Sequence, residues 1–180
     1  MRVISGSCRG RKLVRIQGHQ IRPTSDRSRE AIFSIIGQKV RKANVLDLFA
    51  GTGALGIEAL SRGARHTTFI DLACNIIHQN LELCRFEKKA TVISCDIVKA
   101  PIPESLNGQR FDLVFIDPPY RKGYIEVTLE KESFTDLLDE NSIIIAEQSF
   151  TESLQLGLST LDIYRQKKYS KTIISFINKI

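Results

Sequence analysis

The residues best suited to chemistry form the tetrapeptide Asp117-Pro118-Pro119-Tyr120, which follows the apolar run 111–116. Two consecutive prolines fix an extended backbone and lack N–H donors, so the Asp117 carboxylate and the Pro118 carbonyl present only acceptors. A planar exocyclic amine has two N–H groups and needs two such acceptors to be oriented. Tyr120 adds an aromatic face on which an extruded base can stack. The tetrapeptide is therefore a candidate catalytic site acting on an amine, and the alternative is a loop that only ends a strand.

A second motif, Gly51-Thr-Gly53-Ala-Leu-Gly56, has the G-x-G-x-x-G pattern after an apolar strand and at the start of a helix. Glycines allow a tight turn and close approach of a ligand, and the free N–H groups at a helix start attract negative charge. NAD, FAD and S-adenosylmethionine sites share such a turn, so the motif alone leaves the cofactor open. No G-K-[ST] follows it, which excludes a P-loop for nucleoside triphosphates.

Acidic residues near the ends of successive apolar segments narrow the choice of cofactor. Asp47 lies just before the glycines, where a carboxylate can accept the ammonium of a methionyl group. A dinucleotide offers no cation there to offset the burial of a carboxylate. Asp71 closes the next segment and is placed to hold ribose hydroxyls, which both cofactor classes carry. Asp96 and Asp117 follow the third and fourth segments, and S-adenosylmethionine is the favoured cofactor.

The elements that must position these residues alternate between short apolar runs and amphipathic stretches of helical length. We expect strands over 44–49, 67–71, 91–95, 111–116 and 142–146, a helix ending near Gly63, and helices over 73–86 and within 124–138. This alternation predicts a parallel sheet with helices on both faces, the doubly wound α/β class, whose ligand crevice lies at the carboxyl ends of the strands. Two further strand-like segments, 160–165 and 171–177, predict a terminal antiparallel hairpin.

The front of the chain is strongly basic. Residues 1–42 hold eleven Lys/Arg and two acidic residues, a net charge of +9, whereas the remaining residues carry −3 and the whole chain of 180 residues carries +6. This segregation of charge predicts that the N-terminal segment is an arm that binds a polyanion, while the rest of the chain has another role. The alternative is a solvated basic surface that binds nothing specific. Within the arm we expect a short hairpin and then a helix that begins at Ser25 or Asp26. The chain is accordingly divided into a basic extension, 1–42, and an α/β domain, 43–180.

Composition excludes several other classes of protein. No apolar run approaches the roughly 18 residues of a membrane span, and the basic N-terminus lacks the apolar segment of a secretory signal. The four cysteines form no C-x-x-C pair, which is typical of reduced thiols in the cytoplasm. Cys74 and His78 share a helix face but have no third ligand nearby in sequence, so we expect no metal. Glu58 and Arg62, four residues apart, predict a solvated salt bridge on a helix.

Together, the segments 47–56 and 117–120 resemble class I S-adenosylmethionine-dependent amino-methyltransferases. These two motifs also fit enzymes that methylate DNA adenine, DNA cytosine or glutamine side chains. Three further stretches, 4–13, 22–33 and 59–64, closely resemble the bacterial 16S ribosomal RNA guanine-N2 methyltransferase family of the RsmD type. The family usually has Glu at 71, an apolar residue at 28 and Asn at 34, where this chain has Asp, Ser and Ser. The change at Ser34 leaves any role of that asparagine open.

The resemblance implies a Rossmann-like methyltransferase sheet, mostly parallel with a C-terminal antiparallel hairpin, plus a small basic N-terminal extension. It implies transfer of a methyl group from S-adenosylmethionine to the N2 amine of a guanine, guanine 966 in the family, in 16S ribosomal RNA. The implied catalytic residues are Asp117, Pro118, Pro119 and Tyr120. The implied cofactor-binding residues are Asp47, Phe49, Gly51, Gly53, Asp71 and Asp96. The RNA-binding candidates are Arg9, Arg11, Lys12, Arg22, Arg27 and Arg29. The expected partner is 16S ribosomal RNA within a small-subunit assembly particle, bound by a cytoplasmic monomer without a metal.

Two alternatives from other classes remain at this level. An NAD-dependent oxidoreductase could use the same glycine loop, but it would need a substrate domain for which the chain has little room. A non-catalytic RNA-binding protein could share the fold, although the intact segment 117–120 argues against it.

Overall fold

A computed structural model describes residues 1–15, 26–157 and 159–180, and within them the chain forms a seven-stranded sheet. Its strands are β1 Asn44–Leu48, β2 His66–Asp71, β3 Ala90–Ser94, β4 Phe111–Ile116, β5 Leu138–Ser149, β6 Leu161–Tyr169 and β7 Thr172–Lys179. The order across the sheet is β3-β2-β1-β4-β5-β7-β6. The first five strands are parallel, whereas β7 runs antiparallel to β5 and β6 antiparallel to β7. The expected doubly wound sheet with a terminal antiparallel hairpin is confirmed.

Helices cover both faces of this sheet. They are α1 Asp26–Ile36, α2 Ala54–Ser61, α3 Asn75–Cys84 and α4 Tyr124–Leu129, with short 3-10 turns at Gly37–Val40, Glu87–Lys89, Glu104–Leu106 and Thr135–Leu137. Along β4, Leu113 and Phe115 pack into one hydrophobic cluster, and Val114 and Ile116 pack into another on the opposite face. Burial on both faces explains why this strand is a continuous apolar run instead of an alternating one.

One predicted element is shorter than expected. The helix expected within 124–138 ends at Leu129, and Ser133 has a left-handed φ of 62°. Right-handed helical backbone cannot continue through such a residue. The chain then makes a 3-10 turn and enters β5 at Leu138, four residues before the predicted strand at 142–146.

The basic arm is packed onto the body. Arg2 and Lys12 form an antiparallel bridge, as the predicted hairpin requires, and Val3 and Leu13 join the same hydrophobic cluster as the sheet. A Cβ at Gly6 would overlap the backbone carbonyl of Ser61, so the arm approaches α2 as closely as a glycine permits. The division of the chain at residue 42 stays a prediction, because this cluster crosses it.

The salt bridge predicted on the surface of α2 is instead buried, and the prediction of a solvated pair is wrong. Glu58 is 0% exposed, and its Oε1 accepts hydrogen bonds from Arg62 Nε at 2.7 Å and from the backbone N–H of Ser5 at 3.0 Å. Its Oε2 accepts from the backbone N–H of Ile4 at 2.7 Å. Helical spacing alone could not reveal this role, because the two backbone donors, Ile4 and Ser5, lie more than 50 residues away in the chain.

We predict that Glu58→Gln lowers the free energy of unfolding by about 2–4 kcal/mol, because an amide NH2 must then face one of these buried donors. Urea denaturation measures the loss. The matched control is Glu82→Gln, an exposed position on α3, which should change stability by less than about 0.5 kcal/mol. Equal stability of the two variants would contradict the anchoring role of Glu58.

Candidate active site at the carboxyl edge of the sheet

The loop that joins β1 to α2 has an unusual backbone. Phe49, Gly51 and Gly53 have left-handed φ values of 58°, 56° and 75°, and Gly53 is the residue that caps α2. Gly56 lies inside the helix, where a Cβ would overlap the ring of Phe69. The first two glycines of the motif therefore shape the loop, and the third allows α2 to pack closely against β2.

Two side chains hold this loop from β2 and α3. Asp71 at the end of β2 accepts the N–H of Gly51 through Oδ2 at 2.8 Å and the N–H of Ala73 through Oδ1 at 2.9 Å. Asn80 on α3 is 0% exposed and donates Nδ2–H to the carbonyl of Thr52 at 2.9 Å. The same amide pairs with Val14 of the arm, accepting its N–H at 2.7 Å and donating to its carbonyl at 3.2 Å.

Asn80 was missed by the sequence analysis. A signal was present, because it lies between Ile77 and Leu81, which both face the core from α3. A polar residue on the apolar face of a helix must find buried partners. The sequence alone could not show that these partners are the backbone of the arm and of the glycine loop.

Asp47 lies beneath the same loop, near the end of β1. It is 1% exposed, and its Oδ2 accepts the backbone N–H of Gly56 at 2.8 Å. Burial raises the pKa of this carboxyl to about 8; the Gly56 hydrogen bond opposes the shift and the nearby charge of Asp71 adds to it. A positive group of a ligand beside Asp47 would favour its ionised form.

Asp96 follows β3 at the same edge of the sheet. Its Oδ1 accepts the N–H groups of Val98 at 3.1 Å and Lys99 at 3.2 Å. The backbone N–H of Cys95 bonds to the carbonyl of Asp71 at 3.1 Å, so the ends of β2 and β3 are tied together. The predicted contact of Asp96 with a cofactor stays a prediction.

The candidate catalytic tetrapeptide begins where β4 ends. Asp117 is half-buried, Pro118 is buried and Pro119 is exposed. Tyr120 donates its hydroxyl to Oε1 of Glu147 at 2.8 Å, and Glu147 near the end of β5 is 4% exposed. The hydrogen bond fixes the orientation of the tyrosine ring beside the acceptors of the tetrapeptide.

A ring contact brings this loop to the glycine loop. Phe49 stacks on Tyr124 at the start of α4, with ring centroids 6.1 Å apart and an interplanar angle of 9°. Next to Tyr124 lies a shallow, open pocket lined by residues of 118–120 and 123–126, by Glu147 and Gln148 at the end of β5, and by Glu152 just after it. The structure therefore brings the two sequence motifs to one edge of the sheet, with a pocket beside the second.

The basic candidates of the arm have different surroundings. Arg9, Arg11, Lys12 and Arg27 are exposed, and Arg22 lies outside the described residues. Arg29 is 0% exposed; its Nη2 donates to the carbonyl of Arg2 and to Oδ1 of Asp26, both at 2.7 Å. The expectation that Arg29 contacts RNA is therefore wrong for this structure, since its guanidinium holds the arm to the start of α1 and has no access to a phosphate.

Within the described residues, no cluster of three His, Cys, Asp or Glu side chains is arranged to hold a metal ion. No helix in the described part of the chain has the length and apolarity of a membrane span.

Comparisons with known proteins agree with this architecture. A family model described as "Conserved hypothetical protein 95" matches residues 1–178. The chain is 36% identical over 182 residues to "Putative rRNA methyltransferase YlbH" of Bacillus subtilis, covering 99% of each. It is 36% identical over 154 residues to "Ribosomal RNA small subunit methyltransferase D" of Haemophilus influenzae, covering 82% of this chain and 78% of that one. The solved structure "Putative methyltransferase yhhF from Escherichia coli" superposes with a TM-score of 0.81 at 29% identity, covering 99% and 97% of the two chains.

We predict that Asp47→Asn gains stability relative to the natural protein as the pH rises from 5 to 8. The unfolded carboxyl ionises above its ordinary pKa of 3.8, whereas the folded one stays protonated up to about 8. Over this range the natural protein loses stability, because its unfolded state binds fewer protons than its folded state. Asparagine does not ionise, and its amide oxygen can still accept the Gly56 N–H.

Melting temperatures of both proteins across this pH range measure the effect. The exposed change Asp162→Asn is the control and should give a nearly constant difference. A difference for Asp47→Asn that also stays constant would show that the buried carboxyl is already ionised at pH 5.

Proposed function

Because the chain belongs to the family described as "Conserved hypothetical protein 95", the RsmD family, we propose that it methylates the N2 amine of a guanine in 16S ribosomal RNA, with S-adenosylmethionine as donor. The observation that carries the proposal is that the Asp117–Tyr120 acceptor loop lies next to the glycine loop, joined to it through the stacked rings of Phe49 and Tyr124. A relative named as a small-subunit ribosomal RNA methyltransferase supports the same substrate class.

The residues at the edge of the sheet fit the parts of this cofactor. Asp71 uses its oxygens for two backbone N–H groups, but a carboxylate has about four acceptor positions and can also take ribose hydroxyls. Asp47 would balance the ammonium of the methionyl group, and the left-handed backbone at Gly51 and Gly53 gives the loop its tight turn. When bound, S-adenosylmethionine supplies a methyl group on a positively charged sulfur. Phe49 and Asp96 complete the proposed cofactor site.

The chain contributes to methyl transfer mainly by orientation and electrostatics. The guanine amine is a weak nucleophile because its lone pair is delocalised into the ring. The Asp117 carboxylate and the Pro118 carbonyl would accept its two hydrogens and direct the nitrogen toward the methyl group. The N–C bond forms as the S–C bond breaks, and the amine then releases one proton. Tyr120 would stack on the base, held by its hydrogen bond to Glu147, and Pro119 keeps the loop extended.

The finer assignments follow from the family resemblance. We propose guanine 966 as the target, a small-subunit assembly particle as the substrate, and a monomer acting in the cytoplasm where ribosomes mature. The exposed arm residues Arg9, Arg11, Lys12 and Arg27 would hold the RNA backbone while the base enters the site.

We predict that the protein forms N2-methylguanine when it is incubated with labelled S-adenosylmethionine and with small-subunit particles from a strain that lacks this activity. The labelled base is measured in a digest of the RNA. Asp117→Ala should lower the transfer rate by about 100-fold or more, since it removes an acceptor that orients the amine. It should leave the affinity for S-adenosylhomocysteine within a few-fold of the natural protein, measured by calorimetry.

The exposed change Asp136→Ala in a 3-10 turn is the control and should be fully active. If folded protein produces no N2-methylguanine, the proposed activity is wrong. If Asp117→Ala loses cofactor binding instead, its carboxylate belongs to the cofactor site.

The arm generates a separate prediction about salt. Each phosphate contact on single-stranded RNA contributes a slope of about −0.7 to a plot of log affinity against log salt. Replacing Arg9, Arg11 and Lys12 together by Gln should therefore make the slope less negative by about 2. Anisotropy titrations of a labelled small-subunit RNA fragment at several salt concentrations measure it.

The control also removes three positive charges, but from β6, an edge strand of the sheet. It replaces the exposed residues Arg165, Lys167 and Lys168 by Gln. That variant should keep the natural slope. If the two triple variants change the slope equally, the arm has no special role in holding RNA.

A further inference from the structure

The pocket beside the acceptor loop is lined on its β5 side by groups that accept hydrogen bonds. Glu147, Gln148 and Glu152, whose side chains carry oxygen acceptors, line this wall. The oxygens of Glu152 accept backbone N–H groups of Arg121 at 2.6 Å and Ser149 at 2.9 Å. Glu147 accepts the hydroxyl of Tyr120. These two carboxylates are therefore engaged in shaping the loops around the pocket.

Gln148 is neutral, unlike these two residues. It is 3% exposed, and its Nε2 donates to the backbone carbonyl of Glu152 at 3.1 Å. This bond decides which end of the amide is oxygen, because a carbonyl cannot accept a hydrogen bond from Oε1. Oε1 is itself buried and accepts no hydrogen bond from the described residues. A buried acceptor without a donor is costly, and a ligand in the pocket that Gln148 lines would bring the missing donor.

The chemistry of base amines identifies that donor. Three exocyclic amines fit the two acceptors at Asp117 and Pro118: N6 of adenine, N4 of cytosine and N2 of guanine. The ring nitrogen next to the amine carries a lone pair in adenine (N1) and in cytosine (N3). Guanine alone has an N–H there, at N1. An acceptor next to the amine site thus attracts guanine and repels the other two bases.

We propose that Gln148 is a specificity-determining residue whose Oε1 accepts the N1–H of the target guanine. The proposal rests on the proposed function, and it deepens that function by naming the group that selects guanine over adenine and cytosine. A site built to hydrogen-bond one ligand group rejects analogues that lack this group, because its own buried polar atom is then left unpaired. The fixed amide of Gln148 meets this requirement.

The test uses small-subunit RNA in which the methylated guanine, once mapped, is replaced through ligation of a synthetic segment. 2-Aminopurine keeps the N2 amine but has a lone pair at N1 and lacks O6. 6-Thioguanine keeps both the amine and the N1–H, so it separates reading of N1–H from reading of O6. For the natural protein, kcat/KM should fall about 10- to 100-fold with 2-aminopurine, and 6-thioguanine should stay close to guanine.

Gln148→Leu should lower kcat/KM for guanine to the level of 2-aminopurine and leave 2-aminopurine itself unchanged, so that the preference disappears. Gln148→Met, of nearly the same length as glutamine, provides a second variant without the acceptor if the leucine variant does not fold. Both should bind S-adenosylhomocysteine normally. The control is Gln109→Leu. Gln109 is exposed and precedes the amino end of β4, away from the carboxyl ends of the strands where the site lies, so this variant should keep the full preference for guanine.

Equal kcat/KM of the natural protein for guanine and 2-aminopurine would overturn the proposal, as would a full preference for guanine in a folded Gln148 variant. Absence of transfer to guanine itself is a different result. It would overturn the proposed function, and this inference with it.

Discussion

The loop between β1 and α2 depends on side chains that form hydrogen bonds with its backbone and with the first turn of α2. Phe49, Gly51 and Gly53 adopt left-handed conformations, which cost a non-glycine residue about 1 kcal/mol or more. Hydrogen bonds from Gly51 to Asp71, from Gly56 to Asp47, and from Asn80 to the carbonyl of Thr52 offset that cost. Because each partner comes from a different strand or helix, the loop keeps its shape only in the complete fold.

One of these hydrogen-bonding side chains also positions the basic arm. Asn80 bonds to the arm at Val14 and to the loop at Thr52, so one buried amide joins the two regions. Glu58 on α2 also binds the arm, through the backbone N–H groups of Ile4 and Ser5. The exposed basic residues Arg9, Arg11 and Lys12 therefore lie on a segment that is anchored beside the glycine loop. An RNA held by this segment would be close to the carboxyl edge of the sheet.

The pattern of neighbouring residues in the sequence was sufficient to predict the sheet, its terminal hairpin and the two motif loops. Those features depend on periodic burial and on glycine or proline chemistry, which are visible within a few residues. The roles of Glu58, Asn80 and Arg29 could not be predicted in this way, because each depends on a partner brought near by the fold. Glu58 and Arg29 are charged residues that ordinarily lie on the surface, and their burial follows from backbone or carboxylate partners in the arm and at the start of α1.

A site that modifies RNA must hold the strand and must also select one base. Electrostatic attraction serves the first task, and hydrogen bonding to base edges serves the second. Exposed cations attract phosphates without regard to sequence, whereas acceptors and donors aimed at base edges discriminate among bases. In this chain residues 1–42 hold eleven of the 26 Lys/Arg residues, and the pocket wall includes Glu147, Gln148 and Glu152, whose side chains carry oxygen acceptors. Such a wall repels a phosphate, so the RNA backbone must stay outside while an edge that carries donors enters. Under the proposed function, the basic arm would hold the RNA strand and the acceptors of the acidic body would admit only a base, so the two charge distributions would serve different steps of the same task.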